Sequence, residues 1–100
     1  MGDIASEGPG ELRLADVLDL KAASGLQIDL LAARGRNLIV DASEVRRLGG
    51  QCLQVLLAAD AAWRADGLSL QVTNPSDAFT QAVGLFGASL DGRPHKEQLA

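Results

Sequence analysis

At 100 residues, 47% of them hydrophobic and 22% charged, the chain has the size and composition of one folded domain with a single modest core. A net charge of −4 disfavours binding to a phosphate backbone, and Trp63, Phe79 and Phe86 are too few aromatics for a base-stacking platform. Cys52 is the only cysteine, which excludes an internal disulfide or a cysteine-rich zinc site, and no apolar run approaches the ~20 residues of a membrane span.

Residues 1–10 (MGDIASEGPG) are small, polar and rich in Gly and Pro, and they read as a flexible lead-in. Met1-Gly2-Asp3-Ile4 lacks the charged-then-apolar pattern of a secretion signal, so a cytoplasmic location is expected. In Glu11–Asp19, Leu12 and Leu14 alternate with polar neighbours and Val17-Leu18 follow, which predicts a short strand kinked near Ala15-Asp16.

A helix is predicted over Leu20–Arg34, with Leu20, Ala23, Leu26, Leu30 and Ala33 along one stripe. Gly25 weakens its first turns, and Ile28 falls off the stripe, either packed by a neighbouring segment or left as an exposed contact. Arg34-Gly35 ends it. Asn37–Ala42 contains Leu38-Ile39-Val40, an apolar run expected as a strand buried on both faces, with Asp41 at its end. Ser43–Gly50 reads as a loop.

The strongest helix is Gln51–Asp66. Cys52, Val55, Leu56, Ala59 and Trp63 form one stripe, Leu53 and Leu57 a second ridge, and Gln54, Ala58 and Ala61 a small outer side. Gly67 stops it, and Leu68–Thr73 alternates with period two as a strand. Asn74 is the expected cap of a third helix, with Pro75 at its first position and Asp77 in its first turn. Phe79, Ala82, Val83 and Phe86 form its apolar stripe, Gly87 its stop, and residues 88–100 a mobile tail. This alternation predicts an α/β domain over residues 11–87: a small mixed or parallel sheet of three to four strands, with about three helices.

The chemistry-bearing residues do not assemble into a catalytic set. His95 is the only histidine and falls in the tail, so neither Cys52 nor a serine has a structured base, and no enzyme activity is expected. Cys52, on an apolar stripe, reads as a small buried hydrophobe. Gly49-Gly50 precedes a helix as a phosphate cradle would, but the Lys and hydroxyl of a P-loop are missing. Asp19 and Asp41 are the candidate ligand-proximal carboxylates at predicted strand ends, but without a third carboxylate no metal or cofactor is expected. Arg46-Arg47 reads as a solvated basic step.

The stretch from Leu38 to Phe79 resembles the core of the STAS domain family, the bacterial anti-sigma-factor antagonists and their relatives. Asp41-Ala42-Ser43 stands at the family's Asp-Leu-Ser strand end, Val45 and Leu48 at its apolar loop positions, followed by the long helix, Gly67, a strand and Asn74-Pro75-Ser76. Leu12–Asp19 is similar to the family strand ending in Gly-x-Leu-Asp, with Asp16 where Gly is usual, so the likeness covers roughly residues 11–87. Regulated members carry Asp-Ser-Ser-Gly or Asp-Thr-Ala-Gly in the turn before the long helix. Here that turn is Gly49-Gly50-Gln51-Cys52, with no hydroxyl for a kinase to modify.

The resemblance implies a binding module that docks a protein partner at this turn and on the outer side of the next helix. The candidate partner-binding residues are Gly49, Gly50, Gln51, Gln54, Leu57 and Ala58. The implied partner is an anti-sigma or histidine-kinase-like protein or a chemotaxis signalling protein. Alternatives are the ATPase of an ABC-type lipid transporter, whose small cytoplasmic subunits are also single STAS domains, and a nucleotide or small-molecule sensor using Asp19, Asp41 and the Gly49-Gly50 backbone. Neither nucleic-acid binding nor direct membrane insertion is expected.

Overall fold

The computed structural model describes residues 8–87; the expected tail, with His95, lies outside the described residues, as does the lead-in up to residue 7. The elements run in the order β1 (Gly10–Arg13), β2 (Val17–Leu18), a 3-10 turn (Leu20–Ala22), α1 (Ala23–Ala32), β3 (Leu38–Asp41), β4 (Arg47–Leu48), α2 (Gly50–Ala65), β5 (Leu70–Thr73) and α3 (Asp77–Leu85). Strands β1, β3 and β5 form a parallel sheet in that order, with Leu12 opposite Val40 and Val40 opposite Val72. The kink expected near Ala15-Asp16 divides the first predicted strand into β1 and β2.

This strand order explains where the core lies. Parallel neighbours need crossover connections, and right-handed crossovers that step across a sheet in one direction put their helices on one face. Helices α1 and α2 accordingly pack on each other. Leu38, Val40 and Leu70 are buried against that layer with Leu26, Leu30, Leu53, Leu56 and Trp63. The opposite face presents Glu11, Arg13, Ile39 and Asp41, and Ile39 is only half-buried. The expectation that Leu38-Ile39-Val40 is buried on both faces is therefore corrected: no helix of the described residues covers the second face.

Three further differences are local. The stretch expected to be a loop before α2 contains β4, which pairs in parallel with β2, Val17 opposite Arg47 and Leu18 opposite Leu48. Two residues are too short to show a period. The cap of α3 is Ser76, not Asn74: Ser76 Oγ accepts the Phe79 N–H at 3.0 Å, while Asn74 turns the chain at φ +50°. Two members of the predicted apolar stripes lie outside the core, Leu20 at 70% exposed and Phe86 at 57%. Leu20 belongs to the 3-10 turn ahead of α1 and so leaves the phase of its stripe, whereas Phe86 keeps the α3 phase, its N–H donating to Ala82 C=O, but stands at the C-cap, past the part of α3 that packs on the core.

Candidate partner-docking site

Beyond the C-terminal ends of β1 and β3, the two crossovers are stitched together, and this stitch positions the start of α2. Asp16 C=O accepts the amides of Arg46 (2.7 Å) and Arg47 (3.1 Å), and Leu18 C=O accepts that of Gly49 (2.9 Å). Gly49 is the N-cap, with extended backbone and no side chain to cap the helix. A Cβ there would meet Leu18 O at 3.4 Å and Asp19 Cα at 3.9 Å, ordinary contacts with backbone atoms. Neither Gly49 nor Gly50 has positive φ; a Cβ on Gly50 would meet the Phe86 ring at 3.6 Å, an ordinary contact. The turn thus sits between the Leu18-Asp19 backbone on one side and Phe86 on the other.

Cys52, in the first turn of α2, is fully buried, and its thiol donates to Asp19 C=O at 3.2 Å. Burial, and secondarily the negative charge of Asp19, pushes this thiol above its ordinary pKa, away from the thiolate that nucleophilic chemistry needs. Asp19 Oδ1 accepts the Ala22 N–H at 3.2 Å and so caps the 3-10 turn. Asp41 ends β3 in the other sheet. Its Oδ1 accepts the Ser43 N–H at 2.8 Å, and Arg13 stands 4.0 Å away. The Ser43 amide, then the Ser43 hydroxyl and Arg13, hold the Asp41 carboxyl below its usual range. Asp19 and Asp41 thus serve different turns. Among the described residues, no three or more of His, Cys, Asp and Glu gather into a group that could hold a metal ion.

The six candidate docking residues divide between two flanks of α2. Gln51, Gln54 and Ala58 are exposed and line a groove of about 380 Å³ between α1 and α2, together with Leu31 and Val55. Leu57 stands two turns after Gly50 and so on its side of the helix; it is half-buried against the core. Gly49 and Gly50 are half-buried at the helix start. Sequence reasoning missed that Phe86 flanks this start and that the turn carrying exposed Leu20 packs on α2, although both residues were visible as apolar at the ends of predicted helices. Of the Arg46-Arg47 step, Arg46 approaches Asp16 at 3.7 Å, while Arg47 extends from β4 as an exposed residue.

A parallel sheet with both crossover helices on one face, and a turn-plus-helix presented beyond the strand ends, agrees with the resemblance in the sequence. The family model described as "Mlab, STAS domain" matches residues 3–90. The chain belongs to the STAS domain family. The match takes in every described residue, so β2, β4 and α3 are parts of the STAS domain and not additions to it. None of the curated proteins compared with the chain matches it. Among the described residues, no helix is long and apolar enough to cross a membrane.

Proposed function

We propose that this STAS domain is a non-catalytic interaction module of bacterial signalling whose protein partner docks on the start of α2. The geometry of the turn supports it: Gly49 and Gly50 bring no bulk, Gly49 leaves the first helical amides uncapped, and Gln51, Gln54 and Ala58 continue outward without charge. An uncharged, small-residue surface costs little to desolvate, and a helix start favours a carboxylate from a partner. The buried, hydrogen-bonded Cys52 supports a non-catalytic role.

The partner is an anti-sigma or histidine-kinase-like protein, or a component of a chemotaxis-type pathway. In regulated antagonists a phosphoryl group on the turn adds about −1.5 to −2 charges and repels the partner. Gly49-Gly50-Gln51-Cys52 has no hydroxyl, so the contact here is a standing one and the module acts as an adaptor. The same feature favours a second reading, a small cytoplasmic subunit held on the ATPase of an ABC-type lipid transporter, because a subunit needs a standing contact. Affinity capture with the full chain, read by mass spectrometry, separates the two by the partner's identity. Titration of Gly50→Glu and Gln51→Glu against that purified partner then tests the site. Both variants place a carboxylate where regulated relatives carry phosphate and should bind at least about tenfold more weakly, by like-charge conflict with the partner. Folded variants that bind as tightly as the parent would move the site elsewhere.

A further inference from the structure

Around the start of α2 the surface combines exposed apolar side chains with cations that no carboxylate of the described residues pairs. In a parallel pair, register partners point to the same side, so Val17 and Arg47 share the outer face of the β2–β4 pair while Leu18 and Leu48 are buried beneath. Leu20 and Lys21 follow directly in the 3-10 turn that packs on β2 and α2. Phe86 closes the other flank over Gly50. Val17, Leu20 and Phe86 thus lie on the three segments that adjoin the helix start, and all three are exposed.

The charges on this surface are uneven. Elsewhere Arg13, Arg34 and Arg64 each have a carboxylate within 4.0 Å. On this face Arg46 is matched by Asp16, and Asp19 caps the Ala22 amide. Lys21 and Arg47 have no carboxylate within salt-bridge distance among the described residues. Among the described residues, a chain of net charge −4 thus places two cations without a carboxylate partner beside exposed apolar side chains.

We propose that the segment docked here is an acidic amphipathic stretch of the partner protein. Its apolar side chains cover Val17, Leu20 and Phe86, and its carboxylates meet Lys21 and Arg47. This rests on the reading of the α2 start as the docking site and names the chemistry of what docks there. An anionic membrane is the weaker match, because stable surface binding takes a polybasic cluster, and among the described residues this face offers two cations without a carboxylate partner, on an acidic chain.

The test uses the isotope-labelled full chain and two synthetic amphipathic peptides. Both carry Leu at i, i+3, i+4 and i+7; one has Glu and the other Lys at every remaining charged position. The Glu peptide should shift the amides of Lys21, Arg47, Gly50 and Phe86, and rising salt should weaken it. The Lys peptide should leave them unmoved. The double variant K21E/R47E, both positions exposed and expected to fold normally, should weaken the Glu peptide about ten- to thirtyfold and admit the Lys peptide.

Equal binding of the two peptides, no shift with the Glu peptide at millimolar concentration, or shifts confined to the α1–α2 groove would overturn the proposal. So would binding to phosphatidylglycerol vesicles without binding to the Glu peptide. The purified partner separates this failure from failure of the site itself. A partner weakened by Gln51→Glu but indifferent to K21E/R47E leaves the site standing and removes the acidic segment. A partner indifferent to both variants removes the site as well.

Discussion

Helix α2 buries Cys52, Leu53, Leu56, Ala59, Asp60 and Trp63, whereas α3 buries only Phe79. The difference follows from position. α2 is the crossover between β3 and β5, so it lies over the sheet and against α1. α3 follows the last strand of the sheet and packs beside β4, at the edge of the core. Ala82 and Val83 are half-buried, and Leu85 and Phe86 are 87% and 57% exposed. An element with a single anchor opens locally at less cost than one anchored on two sides. The consequence is that α2 holds its start rigidly, while the end of α3 leaves apolar surface exposed beside it.

The largest expected effect breaks the α2 side. Trp63 is buried among the strands and helices, and its Nε1–H donates to Arg36 C=O at 2.8 Å. Trp63→Ala should cost about 3–5 kcal/mol, since it removes the core's largest side chain and a hydrogen bond together. For a domain this small that approaches its whole stability. Circular dichroism and thermal melting would show a barely folded chain; a variant melting within a few degrees of the parent would mean that α2 is not the keystone described here.

Phe79→Ala tests the α3 side. The transfer and cavity terms are again about 3–5 kcal/mol for a buried Phe, but α3 can detach without opening the sheet, so the measured loss should fall at the low end. Amide exchange distinguishes the helices. In the parent, amides of α3 should exchange through local opening while those of α2 wait for global unfolding. In the variant, α3 protection should vanish and α2 protection persist. Equal loss in both helices would show that α3 is integral to the core.

How much of this was legible in the sequence depended on period and punctuation. Leu12/Leu14 and Leu70/Val72 disclosed their strands by alternation and Leu38-Ile39-Val40 its own as an apolar run after a glycine stop, and the three predicted helix stops, Gly35, Gly67 and Gly87, all take positive φ. β4 was illegible because Arg47-Leu48 becomes a strand only by pairing with β2, a contact 30 residues away in register. The apolar run Leu38-Ile39-Val40 looked symmetric, and only the strand order revealed that one face is open. Of the candidate docking residues, the glycine turn before α2 and the exposure of Gln54 and Ala58 were readable. Phe86 and Leu20 were assigned to the core because periodicity records phase along a helix and not where that helix ends.

A smaller effect should come from Ser76. Its hydroxyl accepts the Phe79 N–H at 3.0 Å and donates to Val45 C=O at 2.6 Å, joining the cap of α3 to the β3–β4 loop. Ser76→Ala removes the cap and leaves the Val45 carbonyl without its partner, a loss of about 1–2 kcal/mol. Ser76→Asp should restore the cap but replace a donor with a carboxylate facing that carbonyl, and so recover only part of it. Chemical denaturation of the two variants gives the comparison, and full recovery in Ser76→Asp would show that the bond to Val45 contributes nothing.

The smallest effect concerns the turn that leads into the same loop. Asp41 Oδ1 accepts the Ser43 N–H, and that amide, with the Ser43 hydroxyl and Arg13, lowers the carboxyl below its usual pKa of 3.8. A carboxyl held lower in the folded chain than in the unfolded one contributes stability that is fully present above the ordinary value, and that stability is lost as pH falls through the folded value. Asp41→Asn keeps an oxygen for the Ser43 amide and removes only the charge, so it should lower stability at neutral pH. The gap between variant and parent should begin to close as pH drops below 3.8 and vanish once Asp41 is protonated in both states. Because Ala42 C=O accepts the Ser76 amide at 3.1 Å, the loosened turn should be felt first as reduced amide protection at the start of α3, with α2 unchanged. Denaturant midpoints at neutral and acidic pH, with amide exchange at neutral pH, measure both. A gap that widened on acidification would reverse the sign and show that the Asp41 charge opposes the fold.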